Sequence, residues 1–429
     1  MTIRIGRRSL LAGAATVASI GALGGGAAWA QDARIRLMWW GSANRNERTA
    51  KVMELFTAAN PGVSVEGESS GFDDYWTRLA TQTAGGNAPD VMQMDYRYIF
   101  EYARRGVLRP LDDAIAAGDL DLSGFSEDAI ASGVVDGNTY GVSLGANSST
   151  MIVNRQAFEE AGVALPERGI TWEQFAERAA ELTEKAGKRG FHGSADGGSQ
   201  EPAFECWLRQ RGKALYDAEG KLGFDAADAT GWFAMWQAMR DSGACVPADL
   251  QALDQLNIET SMVSLGHAAV SFAHTNQIVG FQGINQAPLV LVPYPTAGEG
   301  SKPGQYRKPS MFFSASAKTG VPAEAAKFIS YFINYPAATE VLGVERGVPE
   351  SAAVREALGN TLDELGKAQI QFIEELGDLA GPLPPPPPAG AGEIAFALKR
   401  INEEVGFGTA PEAGAETLVS EATAILARG

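Results

Sequence analysis

The sequence predicts an α/β protein with two lobes. Segments with strand and helix patterns alternate along most of the chain, and 429 residues carry more of this alternation than one sheet can hold. The composition is 45% hydrophobic and 20% charged, which is ordinary for a globular protein and argues against a disordered, collagen-like or coiled-coil chain. The length alone implies two or three domains.

The first lobe begins with an alternation that indicates a parallel sheet covered on both faces. We predict strands over residues 34–40, 63–68 and 91–94, and helices over residues 47–59 and 73–84. The first helix should end at Asn60-Pro61-Gly62, because these residues favour a turn.

The alternation resumes after residue 140 and predicts the second lobe. Thr171 should open a helix there, since Gln174 three residues later completes a capping-box pattern. Strands are predicted over 150–154 and 289–292, and further helices over 201–211, 228–241, 323–334, 362–376, 394–404 and 416–427. The prolines at 382 and 384–388 cannot be helical, so they predict an extended spacer before the last two helices, the alternative being a ligand for a proline-recognition domain.

Residues 1–30 have the features of an export signal. Arg7 and Arg8 precede Ser9-Leu10-Leu11 and a weakly apolar stretch, a pattern typical of twin-arginine export. The small residues of Ala28-Trp29-Ala30 suit a signal peptidase, so we expect cleavage after Ala30 and a periplasmic protein. The alternative is an uncleaved membrane anchor.

Charge and residue counts exclude several classes of partner and cofactor. The net charge is -17, and removing residues 1–30 takes away three arginines and no acid, which leaves a mature chain of -20. With no long basic run, we expect no nucleic-acid partner. Two cysteines and three histidines without an HExxH pattern give a zinc site little basis, so we expect no metal and no other cofactor. Cys206 and Cys245 would form either a disulfide or two buried free thiols.

Eleven sequence strings, in order along the mature chain, match one family. They are Trp39-Trp40-Gly41 with Asn60-Pro61-Gly62-Val63, residues 71–75, 81–91, 106–112, 140–142, 154–158, 170–175, 304–313, 325–329 and 343–349. On these strings the chain resembles the extracellular sugar-binding proteins of ABC transporters, the family that includes maltose-binding protein. The double tryptophan before glycine and the strings around 304–313 and 343–349 look most like the branch that handles pectin fragments.

The resemblance implies a two-lobed periplasmic binding protein fold with a ligand cleft between the lobes and hinge crossings. It places the first lobe at residues 31–143 plus 275–316 and the second at 144–274 plus 317–429. The chain should cross between the lobes near 142–146, 272–279 and 314–318. The implied partners are a carbohydrate and the permease subunits of an ABC importer, and we expect a monomer that is not an enzyme.

Sugars expose C–H patches and a rim of hydroxyls, so their sites combine aromatic surfaces with paired donors and acceptors. In the first lobe, Trp40 and Asp95 follow predicted strands at their carboxyl ends, where α/β sheets bind ligands. Tyr96, Phe72 and Tyr75 are further candidates. Four of these have an alternative: Trp39 could face the cleft instead of Trp40, Phe72 and Tyr75 could pack on the sheet, and Asp95 could cap a helix.

In the second lobe and the crossings, the candidate ligand contacts are aromatic rings, one amide and one methionine. They are Trp207, His274, Asn276, Tyr294, Met311 and Phe312. Trp232 and Trp236 are four residues apart on one predicted helix, so at least one should lie in the core. His274-Thr275-Asn276 departs from relatives that have Trp or Ser before the asparagine, which puts that contact in question.

Four cationic residues lie within or beside the matching strings. Arg45, Arg97, Lys308 and Arg346 could hold the carboxylate of an acidic sugar, since an arginine fork binds carboxylates with two parallel hydrogen bonds. Alternatively, they pair with some of the 52 acidic residues of the chain.

Three other functions compete with sugar binding. Gly141-Val142-Ser143-Leu144-Gly145 satisfies the G-x-S-x-G pattern of an esterase, but a strand pattern rather than a helix follows it. Adjacent aspartates could suggest a glycosidase, although turn or cap roles suit them better. The same fold could also bind a polyamine or a metal chelate.

Overall fold

The computed structural model describes residues 33–217, 219–359 and 361–428. The expected export signal at 1–30 therefore lies outside the described residues. The strands are β1 (Ala33–Trp40), β2 (Val63–Ser70), β3 (Val91–Met94), β4 (Val134–Val135), β5 (Asn138–Thr139), β6 (Val142–Ser143), β7 (Ala146–Asn147), β8 (Ser149–Asn154), β9 (Val270–His274), β10 (Leu289–Val292), β11 (Gln305–Tyr306), β12 (Lys308–Pro309), β13 (Phe312–Ala315) and β14 (Ala380–Gly381).

The helices complete the alternation of the two lobes. They are α1 (Ala43–Ala59), α2 (Phe72–Ala84), α3 (Tyr96–Arg104), α4 (Asp112–Ala117), α5 (Glu127–Ala131), α6 (Arg155–Ala161), α7 (Trp172–Ala186), α8 (Glu201–Gln210), α9 (Ala226–Asp241), α10 (Ala248–Gln251), α11 (Ile278–Ile284), α12 (Pro322–Asn334), α13 (Pro336–Leu342), α14 (Ala352–Leu358), α15 (Glu364–Glu375), α16 (Ala391–Gly406) and α17 (Pro411–Leu426). Short 3-10 turns occupy Thr275–Gln277 and Gly377–Leu379.

The first lobe is built on a five-stranded sheet with the order β2-β1-β3-β13-β6. β1 pairs in parallel with β2 and β3, as the alternation predicts, and β13 joins the sheet antiparallel to β3 and β6. Helices cover the sheet: Phe56 of α1 lies edge-on to Phe328 of α12, with ring centroids 5.1 Å apart. The sheet and its covering helices thus form the core of the first lobe.

The second lobe is built on a three-stranded antiparallel sheet with the order β10-β8-β9. Side chains alternate along β8: Met151 and Val153 join a core with Trp172 and Trp232, while Ile152 packs in a separate cluster on the opposite face. The capping box predicted for α7 is confirmed, because Thr171 and Gln174 exchange both hydrogen bonds.

The structure corrects the expected lobe boundaries in two places. β10, inside the 275–316 segment expected in the first lobe, pairs with β8 of the second sheet, with Leu289 opposite Asn154. α12, inside the 317–429 segment expected in the second lobe, packs its apolar face on the first sheet, where Phe332 lies 4.8 Å from Phe313. The chain thus returns to the first lobe after β10 and stays there beyond residue 318, because these elements bury their apolar faces there.

Cys206 and Cys245 are both buried and both free. Burial raises the pKa of each thiol above its ordinary value. Of the two alternatives for the cysteines, the structure shows two buried thiols that pack as small apolar side chains.

Candidate ligand-binding cleft

A cleft between the two sheets contains about 1430 Å³ of empty space, part of it open to solvent. Its walls come from both lobes and from the passages that connect them. Of the thirteen residues predicted as ligand contacts, eight line it: Trp40, Arg45, Phe72, Asp95, His274, Asn276, Tyr294 and Met311. Within the described residues, no group of three or more His, Cys, Asp or Glu side chains is placed to hold a metal ion.

Aromatic rings form one wall of the cleft. Trp40, the last residue of β1, stands edge-on to Phe72 at the start of α2, with ring centroids 5.4 Å apart. Tyr75 supports Trp40 from behind at 5.1 Å, and its hydroxyl donates a hydrogen bond to the carbonyl oxygen of Gln93 at 2.6 Å. Tyr75 is fully buried and does not line the cleft, so it positions the tryptophan instead of facing a ligand.

The two neighbouring tryptophans of β1 point to opposite faces, as alternation along a strand requires. Trp39 donates from its indole nitrogen to Asn46 Oδ1 at 2.8 Å and lies across Gly67 of β2, where an added Cβ would come within 2.4 Å of the ring. Trp40 is the one that lines the cleft.

Asp95 combines the two roles considered for it. It is the N-cap of α3, where Oδ1 accepts from the backbone N–H of Arg97 at 2.9 Å, and it also lines the cleft. Burial alone would raise its pKa, but Lys308, 3.6 Å away, and Arg97 outweigh burial and lower it. The carboxylate is therefore ionised at neutral pH.

His274 lies at the end of β9, close to the same cations. Burial first, and then the charge of Lys308, lower its pKa to about 3. The imidazole is therefore neutral at physiological pH, with one donor and one acceptor nitrogen.

The amides of Asn147 and Asn276 meet where two passages between the lobes run side by side. Asn147 Nδ2 donates to Asn276 Oδ1 at 2.8 Å, and Asn276 Nδ2 donates to the carbonyl oxygen of Glu345 at 3.2 Å. Both asparagines line the cleft, and Asn147 Oδ1 is buried without a hydrogen-bond partner. An unpartnered buried acceptor in a cleft wall is suited to a ligand donor.

Besides Tyr75, four predicted contacts lie outside the cleft lining. Arg346 is buried behind it and donates to Thr49 Oγ1 at 2.7 Å and to Gln93. Phe312 has no exposed surface and packs in the first core. Trp207 packs in the second core under Arg211, and Tyr96 donates from its hydroxyl to the carbonyl oxygen of Pro384 at 3.0 Å.

Several lining residues were not predicted from the sequence. Lys399 of α16 reaches across to Asp73 of α2, with Nζ 3.1 Å from Oδ2, and Glu201 at the start of α8 forms an ion pair with Arg97. Asp254 lines the floor, and burial raises its pKa to about 6. Nothing in the local sequence marks these residues, because their positions depend on how the lobes approach each other.

A family model described as bacterial extracellular solute-binding protein matches residues 51–357 of the chain. The structure of an extracellular solute-binding protein, family 1, from Alicyclobacillus acidocaldarius is 32% identical, covers 92% of this chain and 98% of its own, and has a TM-score of 0.63.

Other solved structures share the fold at lower identity. A periplasmic oligogalacturonide-binding protein from Yersinia enterocolitica, in complex with saturated digalacturonic acid, has a TM-score of 0.82 at 24% identity, over 92% of this chain and 99% of its own. A substrate-binding protein from Listeria monocytogenes in complex with cycloalternan has a TM-score of 0.78 at 18% identity, with the same coverage.

Among curated relatives, binding proteins of Brucella abortus and Brucella suis are 24% identical over 209 residues. That match spans 48% of this chain and about half the length of those relatives. The family model and the Alicyclobacillus structure, by contrast, each extend over most of the chain. The chain therefore belongs to the bacterial extracellular solute-binding protein family and has its two-lobed fold.

Proposed function

We propose that this protein captures a sugar, either a monosaccharide or an oligosaccharide, by closing its two lobes, and delivers it to the permease of an ABC importer. One observation carries the proposal: the interlobe cleft joins the Trp40 and Phe72 rings to a surround of amide, carboxylate and cationic groups. The sugar ligands of the Yersinia and Listeria proteins support it.

The chemistry of the cleft walls suits a polyhydroxylated ring. The face of Trp40 or Phe72 can cover the C–H patch of a sugar, while Asn147, His274 and Asp95 supply acceptors and donors for hydroxyls. Sites for small molecules commonly combine apolar rings with a few placed polar groups in this way.

Closure follows from contacts that a ligand makes with both lobes. A sugar between Trp40 on one side and Tyr294 on the other would favour the closed state by its difference in affinity for the two states. The closed shape is what the permease would recognise, so only the protein with bound sugar would deliver its ligand.

The observed environment of Ser143 argues against the esterase alternative. The serine hydroxyl is buried and donates to Glu350 Oε1 at 2.8 Å, and β7 follows instead of a helix. A nucleophile elbow needs an exposed hydroxyl at a strand-to-helix turn with a histidine base. We infer a binding protein without catalytic turnover.

The proposed location is the periplasm, reached through the export signal at 1–30, and the proposed active form is a monomer. Within the described residues, none of the helices is both long and apolar enough to cross a membrane.

A thermal-shift screen with neutral and acidic mono- and oligosaccharides tests this function. A ligand that binds only the folded state raises the melting temperature, and the rise grows with ligand concentration. We expect at least one sugar to give such a rise in the wild-type protein and a smaller one in Phe72→Ala. A full library without any shift, or ester hydrolysis lost in Ser143→Ala, would contradict the proposal.

A further inference from the structure

The charges of the cleft narrow the class of sugar, provided that the proposed function holds. Four cationic side chains line the cleft in the described part of the chain: Arg45, Arg97, Lys308 and Lys399. They face four acidic side chains in the same lining: Asp73, Asp95, Glu201 and Asp254. The lining is thus balanced in charge, and the neutral His274 adds nothing to either side.

Each of the four cations already has a carboxylate partner from the protein. Arg45 Nε lies 2.7 Å from Glu345 Oε1 in a pair with only 6% and 2% of its side chains exposed. Lys308 lies 3.6 Å from Asp95 and Lys399 lies 3.1 Å from Asp73. The fourth pair joins Arg97 to Glu201.

A ligand carboxylate would have to displace one of these partners or share its cation. At the buried Arg45–Glu345 pair, displacement would leave the glutamate carboxylate in a desolvated site without its cation, which costs several kcal/mol. Arg346, the other cation considered for a carboxylate, lies outside the cleft lining and is held by Gln93 and Thr49.

The unpartnered polar atoms of the cleft residues point to the same class of ligand. Asn147 Oδ1 and Asp73 Oδ1 are buried acceptors without a hydrogen-bond partner, and Arg97 Nε is a buried donor without one. A hydroxyl group can donate to the first two and accept from the third, whereas an ionised carboxylate can only accept. Two acceptors and one donor therefore match hydroxyls better than a carboxylate.

We propose that the cleft selects uncharged sugars and disfavours uronates. This differs from the ligand of the Yersinia neighbour, which is an acidic disaccharide. The selection rests on pairing inside the protein, since each of the four cations in the described cleft lining is paired with a carboxylate of the protein.

Calorimetric titration of the purified protein with matched probes tests this selectivity. One pair of probes is digalacturonic acid and its dimethyl ester, which differ in charge at the same two carbons. The second pair is the neutral sugar that binds best in the library and its counterpart oxidised to a uronate. We expect each acid to bind roughly tenfold or more weakly than its neutral partner, a difference of about 1.4 kcal/mol.

Two variants test the cause of the selectivity. Glu201→Gln and Glu345→Gln remove the carboxylates that pair with Arg97 and Arg45, so the ratio of acidic to neutral affinity should rise at least several-fold in each. Glu364→Gln, at a side chain 91% exposed on α15, should leave the ratio unchanged.

The outcomes separate this inference from the function on which it rests. If acids bind the wild-type protein as tightly as their neutral partners, selectivity for uncharged sugars is wrong while sugar binding stands. If no sugar of either charge binds, the proposed function fails and the selectivity fails with it. If the ratio does not change in either variant although both fold, the pairing is not its cause.

Discussion

Asn147 Nδ2 donates to Asn276 Oδ1 at 2.8 Å, which joins the first and second passages between the lobes inside the cleft wall. Asn276 then donates to the carbonyl oxygen of Glu345, at the end of the segment that follows α13. One short chain of hydrogen bonds thus joins Asn147, Asn276 and the backbone at Glu345. Because both amides also line the cleft, a ligand that contacts them would also contact the segments expected to form the hinge.

Asn276→Ala should reduce both stability and sugar affinity. The change leaves Asn147 Nδ2 and the Glu345 carbonyl oxygen buried without partners, at a cost of about 1–3 kcal/mol in the free energy of unfolding. Urea denaturation and calorimetric titration measure the two effects. Asn138→Ala, at an exposed residue of β5, is the matched control and should change stability by less than about 0.5 kcal/mol. If the two variants have the same free energy of unfolding and the same sugar affinity, the hydrogen bonds of Asn276 contribute to neither.

Phe72→Ala should weaken sugar binding without unfolding the protein. Phe72 is only partly buried and offers its ring to the cleft beside Trp40, so its loss removes stacking surface from the ligand more than from the core. We expect affinity to fall on the order of tenfold, about 1.4 kcal/mol, by titration with the best sugar of the screen. Phe407→Ala, at a phenylalanine 66% exposed and outside the cleft lining, should bind as the wild type does. An unchanged affinity in Phe72→Ala would show that the Phe72 ring does not contact the sugar.

Local sequence patterns predicted the elements of the fold closely. The strand predicted over 34–40 is observed as Ala33–Trp40, and the helix predicted over 201–211 is observed as Glu201–Gln210. The capping box at Thr171 was predictable because its two hydrogen bonds are local and depend only on residues three positions apart. Trp40 could be placed in the cleft because a strand alternates its faces and ends at the binding edge of the sheet.

Contacts between distant segments were not predictable in this way. Lys399 meets Asp73 across 326 positions, and only the approach of the two lobes brings them together. Arg346 lies beside the cleft motifs in sequence, yet its side chain turns into the first core to bind Gln93. Trp207 on α8 faces the second core. The local pattern did not predict this, because an aromatic residue on a helix can face either side of it.

The two thiols should be unreactive until the protein unfolds. Cys206 and Cys245 are buried, and burial raises the pKa of both, so little thiolate forms at neutral pH. Titration with a thiol reagent, in protein prepared without reductant, should find no fast-reacting thiol in the native state and two in denaturant. No reactive thiol after denaturation would indicate a disulfide instead.

Asp254→Asn should remove a pH dependence of stability. Burial raises the pKa of Asp254 from 3.8 to about 6, although the hydrogen bond from the N–H of Leu256 partly offsets this rise. Between about pH 4 and pH 6, the folded protein therefore keeps a proton that the unfolded chain loses. Protonation of Asp254 contributes fully to the free energy of unfolding below about pH 4, and this contribution is lost as the pH rises through 6.

At pH 7.5 the Asp254→Asn variant should therefore be more stable than the wild type by roughly 1–3 kcal/mol, and at pH 4 the two should be nearly equal. Urea denaturation of the sugar-free proteins at both pH values measures the difference. A difference of the same size at pH 4 and pH 7.5 would show that ionisation of Asp254 is not its source.

Lys399→Met should make the closed state less favourable. Lys399 on α16 and Asp73 on α2 form a pair across the mouth of the cleft, with 20% and 27% of their side chains exposed, so solvent limits its contribution to about 0.2–1 kcal/mol. The loss should appear as several-fold faster sugar release, because closure holds the ligand in place. It should also appear as a larger radius of gyration by solution X-ray scattering at limiting sugar.

Salt dependence distinguishes the lost ion pair from lost packing of the lysine stem. Raising the salt concentration screens the wild-type pair and should speed release from the wild type more than from Lys399→Met. Lys367→Met provides the control, since Lys367 pairs with Glu364 on its own helix and contributes nothing across the cleft. If release from Lys367→Met and Lys399→Met is equally fast, or if the salt response is as large in Lys399→Met as in the wild type, the Lys399–Asp73 pair does not hold the lobes together.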